Sequence, residues 1–277
     1  MSAPTGFVPK KVMPFDGKLF EIIGADETLT IAKHLMTLLP SLAFPADAVI
    51  HDSACGLGPV TESILATSPP SSIKIFATDF APPMTAIYNS IAEAKNWPSR
   101  AEVMDVQHLS FPDATFSHVF LSFGLPIIDD PIAAAREMYR TLKPGGTAIT
   151  AFWLHMPQGE CAQKVRRAIW GPDARLNIEP HPEHSDKGYL KSLLVKGGFK
   201  SEDSVLPVKD IDELATAIWS VIGQPQGGWA EDDEEKWDEA ITTYKEILTK
   251  EPGYQVDQDG NIALTGTAQI VIVRKEE

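Results

Sequence analysis

The segment from Ala48 to Asp79 constrains the fold more than any other part of the chain. It reads as an apolar strand, a glycine turn, a short helix beginning near Pro59, and a second strand that ends in an acid. Gly56 and Gly58 have no Cβ, so the backbone can turn sharply there and pass close to a ligand. Asp79 lies 21 residues beyond Gly58, where α/β nucleotide sites place a carboxylate on a ribose diol. The segment therefore predicts a site for a nucleoside-containing ligand.

The third glycine position separates two classes of such sites. A dinucleotide site of the G-x-G-x-x-G type places its last glycine where this chain has Thr61. The threonine disfavours an NAD(P)-linked oxidoreductase, which stays open as an alternative.

Composition narrows the choice of substrate. The chain has 277 residues, 43% of them hydrophobic, enough for one large α/β domain. Its net charge of −14 repels phosphate backbones, so we expect a small molecule rather than a nucleic acid as partner. No apolar run approaches the ~20 residues of a membrane span, and no secretory signal is evident, which predicts a cytoplasmic protein. The acids of Glu231–Glu239 are expected to be a solvated helix face.

Neither cysteine carries a strong functional signal. Cys55 and Cys161 form no disulfide framework and no metal-binding spacing, so we predict no metal. Cys55 lies inside the glycine turn, where we expect a small residue packed under the ligand rather than a reactive thiol.

Five strands alternate with helices, which predicts a doubly wound, mostly parallel α/β sheet. Polar or aromatic residues follow each strand at its carboxyl end, where such sheets bind ligands. These residues are Asp52, Asp79, Asp105, Ser122 and Trp153. Their common position predicts one site.

Further elements are predicted from periodicity and from Gly and Pro stops. The predicted helices are Asp26–Leu39, Pro82–Lys95, Pro131–Leu142, Tyr189–Lys196, Ile211–Ile222 and Asp232–Lys250. The later predicted strands are Ala101–Met104, Phe116–Leu121, Thr147–Phe152, Phe199–Val208 and Ile262–Val273.

Four segments in order resemble the class I S-adenosylmethionine-dependent methyltransferases. They are HDSACGLG, ATDFAPPM, AEVMDVQHLSFPDATFSHVF and LKPGGTAITAFW. The last two are similar to small-molecule methyltransferases of the ubiquinone-biosynthesis type. Three further features resemble small fungal enzymes that tailor secondary metabolites, some of which methylate thiols, hydroxyls or carboxyls. They are the pattern D-x-A-C-G-x-G-x-V, the Phe-Gly pair after the fourth strand and YLKSLLVKGGF.

The resemblance implies an architecture for the whole chain. It implies a Rossmann-like, seven-stranded sheet in a single domain, with N-terminal and inserted helices forming a cap. The expected divisions are an N-terminal cap at 1–40, a cofactor core at 41–153, a substrate-specificity region at 154–250 and a final strand at 251–277. A monomer or homodimer is expected.

The resemblance also implies roles for individual residues around S-adenosylmethionine. Asp52 would meet the methionine ammonium, and Asp79 would accept both ribose hydroxyls, as a charged acceptor does best. The turn residues that would pack against the amino-acid part are Ala54, Cys55, Gly56 and Gly58. Phe80, Met84, Asp105 and Val106 would contact the adenine, and Ser122 and Phe123 would lie beside the sulfonium.

The sequence defines the methyl acceptor less closely than it defines the cofactor site. The aromatic residues expected to line the substrate pocket are Phe20, Phe123, Trp153 and Trp170. His155 is a candidate base, with His181 and His184 as alternatives, because an alcohol or amine acceptor benefits from a base while a thiolate or carboxylate hardly does. We therefore expect methyl transfer to sulfur, oxygen or nitrogen of a small metabolite, releasing S-adenosylhomocysteine. A methyltransferase fold that binds cofactor without turnover, as a regulatory module, is the further alternative.

Overall fold

The computed structural model describes residues 7, 9–13, 19, 25–38, 44–125, 128–155, 157–176, 183, 186, 188–197, 201–204, 229–251, 254–256, 262–263 and 267–275. The chain forms two compact units. The sheet unit comprises Asp26–Leu154, Pro182–Ser204 and Thr267–Glu277. The accessory unit comprises Met1–Ala25, His155–His181 and Val205–Gly266.

The sheet unit contains the strands of the main sheet and the helices around them. Its strands are β1 (Val49–Ser53), β2 (Lys74–Asp79), β3 (Ala101–Val103), β4 (Phe116–Ser122), β5 (Leu142–His155), β6 (Ser201–Ser204) and β9 (Thr267–Arg274). Its helices are α1 (Ala25–Leu38), α2 (Pro59–Ala66), α3 (Pro82–Ala94), α4 (Pro131–Thr141) and α6 (Tyr189–Gly197).

The strands follow the order β3-β2-β1-β4-β5-β9-β6. The pairs β1–β2, β1–β4, β2–β3 and β4–β5 are parallel, and β6 pairs with β9 antiparallel. β1 and β4 are buried nearly throughout, as strands covered on both faces are. The predicted doubly wound, mostly parallel sheet is confirmed. This topology brings the carboxyl ends of β1, β2, β3, β4 and β5 to one edge.

The crossover helices begin where the sequence signals them. Proline occupies the first turn of α2, α3 and α4, where a missing N–H costs nothing. The side chain of Asp130 caps α4 by accepting from the N–H groups of Ile132 and Ala133. Turn and cap chemistry therefore fixes where each helix points relative to the sheet edge.

The structure differs from the sequence prediction in three places. β5 begins at Leu142 and runs through Lys143–Gly146, because Gly145 and Gly146 pair with Lys275 instead of ending the element. One strand was predicted over Ile262–Val273, whereas Ile262–Ala263 pairs with Gln255–Val256 in a separate sheet. One helix was predicted over Asp232–Lys250, but Lys236 leaves the helical geometry and divides it in two.

The accessory unit has its own core. Its elements are α5 (Pro157–Trp170), α7 (Glu231–Glu235), α8 (Trp237–Leu248), β7 (Gln255–Val256) and β8 (Ile262–Ala263). Trp229, Trp237 and Tyr244 are buried against Cys161 and Val165 of α5. The predicted helix at Ile211–Ile222 lies outside the described residues. None of the described helices is long and apolar enough to cross a membrane.

One acid of the run Glu231–Glu239 contradicts the expectation of a solvated face. Asp233 is completely buried, because its carboxylate pairs with the buried guanidinium of Arg166 and accepts a hydrogen bond from the N–H of Ala230 at 2.8 Å. The Arg166 guanidinium also lies over the rings of Trp170 and Trp229, with centroid distances of 4.6 and 5.3 Å. The acid therefore holds the accessory unit together.

Candidate functional site

Asp52, near the end of β1, is buried at the start of α2. Its Oδ2 accepts hydrogen bonds from the N–H of Thr61 at 3.1 Å and from the hydroxyl of Thr61 at 2.7 Å. Burial raises the pKa of Asp52 to about 7, and the neighbouring charge of Asp79 adds to this, although the two bonds from Thr61 oppose it. A cationic ligand beside Asp52 would therefore favour its ionised form.

The two glycines of the turn have different surroundings. Gly56 has a φ of 51°, and a Cβ placed on it would meet nothing within 4 Å. Gly58 has a φ of 86°, and a Cβ there would lie 2.7 Å from both Tyr88 and Trp97. Gly56 thus leaves room for a ligand, whereas Gly58 is required by the packing of two aromatic rings beneath the turn.

The N–H groups of this turn are mostly used within the protein. Cys55 donates to the carbonyl of Thr78 at 2.9 Å, and Gly58 donates to the carbonyl of Cys55 at 2.8 Å. The Cys55 side chain is buried, and burial raises the pKa of its thiol far above the usual range. Ala54 precedes it in the left-handed region, with a φ of 50°. A ligand can approach this loop by packing, and Cys55 is the small packed residue that was predicted.

Asp79 ends β2 and reaches the glycine turn. Its Oδ2 accepts from the N–H of Gly56 and its Oδ1 from the N–H of Ala81, both at 2.9 Å. The aromatic ring of Phe80, which follows it, is 66% exposed, and Met84 is half-buried in the first turn of α3. An acid and an exposed aromatic ring therefore lie together at this strand end.

Asp105 follows β3 in a tight local turn. Its carboxylate accepts from the backbone and side-chain N–H groups of Gln107 at 2.9 and 3.0 Å. Partial burial opposes ionisation, but the bonds from Gln107 outweigh it and lower the pKa of Asp105. The Gln107 side chain also accepts from the N–H of Asp130, which links this turn to α4. The side chain of Val106 is buried in the core, so the predicted adenine contact would have to be made by its backbone.

An aromatic pair lies at the ends of β4 and β5. The rings of Phe123 and Trp153 are stacked with centroids 4.7 Å apart and an interplanar angle of 25°. Phe123 has a φ of 62°, a costly conformation for a bulky residue, and its N–H donates to the carbonyl of Ala151. The preceding Ser122 has a buried Oγ that finds no hydrogen-bond partner among the described residues.

The remaining predicted residues belong to the accessory unit, or their side chains lie outside the described part of the chain. Trp170 belongs to α5 of the accessory unit, where its indole N–H donates to Asp232 at 2.8 Å. His155 is the last residue of β5, and its side chain lies outside the described part of the chain. Phe20, His181 and His184 also lie outside it.

Sequence reasoning missed a set of hydroxyls behind Asp52. Thr61 was noted only as a missing glycine, yet its hydroxyl bonds to Asp52 and accepts from the phenol of Tyr88 at 3.0 Å. Tyr88 also bonds to Ser99 at 2.8 Å. The threonine at the third glycine position was the signal that could have revealed these hydrogen-bonded hydroxyls.

The residues present fit S-adenosylmethionine. Gly56 leaves open space at a turn, the buried hydroxyl of Ser122 lacks a partner within the described residues, and Phe80 exposes an aromatic face. No hydrogen bond from the described residues reaches Oδ1 of Asp52, which leaves one carboxylate oxygen for a cationic amino group. This edge of the sheet can therefore bind a nucleoside and a cationic amino group, and it lets a ligand pass close to the backbone.

Comparison with known proteins supports the same assignment. A family model described as a methyltransferase domain matches residues 50–146. The chain is 22% identical to the methyltransferase tpcH of Aspergillus fumigatus, over 82% of this chain and 84% of that protein. It is 34% identical to a ubiquinone/menaquinone biosynthesis C-methyltransferase of Geobacter sulfurreducens, over 36% of this chain and only 40% of that protein.

A solved structure shares the fold. Geranyl diphosphate methyltransferase in complex with S-adenosylmethionine superposes with a TM-score of 0.51 at 15% identity, covering 95% of this chain and 93% of that one. The matched region contains the glycine turn and the acids at the ends of β1, β2 and β3. Residues 50–146 thus match a methyltransferase domain, and the relatives and the shared fold support a class I S-adenosylmethionine-dependent methyltransferase.

Proposed function

We propose that this enzyme methylates sulfur, oxygen or nitrogen of a small, flat organic metabolite, in secondary metabolism. The observation that carries the proposal is the stacked pair of Phe123 and Trp153 at the same sheet edge as Asp52 and Asp79. Two half-buried rings offer an apolar face to a planar acceptor. The net charge of −14 supports a small neutral or weakly charged acceptor over a nucleic acid. The resemblance to fungal tailoring enzymes supports the metabolic role.

The cofactor assignment divides the site into three parts. Oδ1 of Asp52 would hold the amino group, Asp79 the ribose hydroxyls, and Phe80 with Asp105 the adenine. The methyl group that S-adenosylmethionine supplies when bound is already activated by the sulfonium. The protein therefore has mainly to orient the acceptor and exclude water. We assign the orientation to Phe123 and Trp153, and the hydroxyl of Ser122 to a polar atom at the reacting centre.

A base is needed only for some acceptors. A thiol or a carboxylic acid that ionises near neutral pH reacts without one, whereas an alcohol needs its proton removed. His155 remains the proposed base for the second case, and residues 154–250 the proposed specificity region.

Methyl transfer to carbon is a second candidate. It is favoured by the 34% identity to a C-methyltransferase of quinone biosynthesis, which spans part of each chain. An electron-rich hydroquinone ring would suit the same aromatic pair. The position of the transferred methyl group distinguishes the two candidates.

The test begins with calorimetric titration of S-adenosylhomocysteine into the wild-type protein and Asp79→Ala. Micromolar binding that the variant loses while staying folded would support the cofactor site. The protein is then incubated with S-adenosylmethionine and a phenol, a thiol, a carboxylic acid and a hydroquinone, and products are located by mass spectrometry and NMR. Binding without any methylated product would favour the regulatory alternative. Binding of NAD(P) in place of S-adenosylhomocysteine would overturn the proposal.

A further inference from the structure

Three hydroxyl groups form a continuous hydrogen-bonded chain behind Asp52. The Thr61 hydroxyl lies 2.7 Å from Asp52 Oδ2, the Tyr88 hydroxyl 3.0 Å from that of Thr61, and the Ser99 hydroxyl 2.8 Å from that of Tyr88. All four side chains are buried, so water does not compete for these bonds. The chain connects β1, α2, α3 and the segment that precedes β3.

The direction of the bonds follows from their end point. An ionised carboxylate only accepts, so the proton of Thr61 must point to Asp52. The Thr61 oxygen is then free to accept from Tyr88, and the Tyr88 oxygen to accept from Ser99. Every proton of the chain points toward Asp52, and each bond strengthens the next. The chain therefore favours negative charge on Oδ2.

Among the described residues, the other groups that face Asp52 do not supply a positive charge. They are the carboxylate of Asp79 at the end of β2, the thiol of Cys55 in the turn and the phenol of Tyr88 on α3. Phe120 lies beside Asp52 on β4 and does not ionise. Burial and the charge of Asp79 both disfavour ionisation of Asp52. The hydrogen bonds from Thr61, with the hydroxyls behind them, favour the ionised form.

The ring of Tyr88 has a second contact with the same turn. It packs against Gly58, where a Cβ would approach it to 2.7 Å. Tyr88 therefore supports the glycine turn with its ring and Asp52 with its hydroxyl. A glycine in place of Thr61 would break the chain at its first link.

We propose that Thr61, Tyr88 and Ser99 are positioning residues that keep Asp52 ionised with Oδ2 occupied, so that Oδ1 pairs with the amino group of S-adenosylmethionine. The inference rests on the proposed placement of the cofactor's methionine end at Asp52. None of the three residues need touch the cofactor. Their effect is transmitted through the charge and orientation of one carboxylate.

The test measures the affinity for S-adenosylhomocysteine by calorimetry from pH 6 to pH 9. In Tyr88→Phe the ring remains and only the hydroxyl is lost, so Asp52 should take up a proton at higher pH than in the wild type. We expect about tenfold weaker binding near pH 6.5, corresponding to about one pH unit, and binding within about twofold of wild type at pH 9. Tyr139→Phe, which removes a phenol from the exposed face of α4, is the matched control.

Two further variants keep the test decisive. Ser99→Ala acts at the far end of the chain and should give a smaller shift in the same direction, even if Tyr88→Phe folds poorly. Thr61→Ser keeps the hydroxyl and should bind S-adenosylhomocysteine like wild type. Thr61→Val replaces the hydroxyl by a methyl group and should show the weaker, pH-dependent binding. If the wild type binds and the variants bind equally well, or are weakened by the same factor at every pH, the inference is overturned while the proposed cofactor site stands. No binding by the wild type at any pH would overturn the proposed cofactor site as well.

Discussion

Asp79 accepts a hydrogen bond from the backbone N–H of Gly56 at 2.9 Å, so the last residue of β2 holds the turn that follows β1. The same carboxylate accepts from Ala81 through its other oxygen. One side chain therefore organises two backbone segments before any ligand binds. A carboxylate has about four lone-pair sites, so Asp79 can still accept from the diol of a ribose.

Replacing Asp79 by alanine should affect stability and binding together. The Gly56 N–H would lose its acceptor, which costs about 1–3 kcal/mol of the free energy of unfolding. We expect affinity for S-adenosylhomocysteine to fall by at least about tenfold, because charged hydrogen bonds to the ribose are lost. Urea unfolding and calorimetry measure the two effects. Asp47→Ala, at an exposed acid before β1, should change neither.

The two glycines of the turn should respond differently to alanine. In Gly56→Ala the new Cβ enters open space, so only the left-handed backbone costs energy, about 1–2 kcal/mol. In Gly58→Ala the Cβ also collides with Tyr88 and Trp97, so the free energy of unfolding should fall by several kcal/mol, about 3 or more. Thermal unfolding should rank the variants in this order. If Gly56→Ala folds well but still binds S-adenosylhomocysteine normally, the ligand does not approach Gly56.

His51 and Asp52 are adjacent on β1 and have opposite effects on the pH dependence of stability. Burial lowers the pKa of His51 to about 3, and burial raises the pKa of Asp52 to about 7. Between pH 4 and 6.5 the unfolded chain binds more protons than the folded one at His51 and fewer at Asp52. The His51 contribution to stability is lost as pH falls through this window, while that of Asp52 is lost as pH rises.

Single substitutions should expose each contribution. In Asp52→Asn the stability should fall more steeply between pH 6.5 and 4 than in wild type, by about 2–4 kcal/mol over the window. In His51→Phe it should instead rise as pH falls. Urea unfolding at several pH values measures both slopes. Parallel slopes in the wild type and both variants would mean that neither group is perturbed as described.

Phe123 and Trp153 should be energetically coupled. A double-mutant cycle with Phe123→Leu and Trp153→Leu isolates the stacking term, which we expect to be about 0.5–1.5 kcal/mol of the free energy of unfolding. Both single variants should also raise the acceptor KM more than they weaken S-adenosylhomocysteine binding. Strictly additive effects on stability would show that the observed stacking contributes nothing.

Local sequence signals were sufficient for most of the sheet unit. Apolar runs located β1, β2 and β4, and prolines located the starts of α2, α3 and α4, because these depend on neighbouring residues only. The extension of β5 through Gly145 and Gly146 depends on pairing with Lys275, which is distant in sequence. Periodicity cannot reveal such a partner.

The candidate site shows the same division. The glycines and the acids after β1, β2 and β3 followed from spacing and were expected together. The packing of Tyr88 beneath Gly58, the strained φ of Phe123 and the burial of Asp233 by Arg166 arise from tertiary contacts between separate elements. Asp233 was predicted to be solvated because acids are mostly exposed, and the sequence does not indicate which acid pairs with a buried guanidinium.

The place of β9 in the sheet has a consequence for biosynthesis. β9 lies between β5 and β6, yet its residues, Thr267–Arg274, follow both of them in the sequence. During translation, β1 to β5 can pair as they leave the ribosome. Among the described strands, β6 pairs with β9, so it must wait until Thr267–Arg274 has been synthesised. A nascent or truncated chain without Thr267–Arg274 would expose the edge of β5, so the synthesis of β9 protects this edge against aggregation.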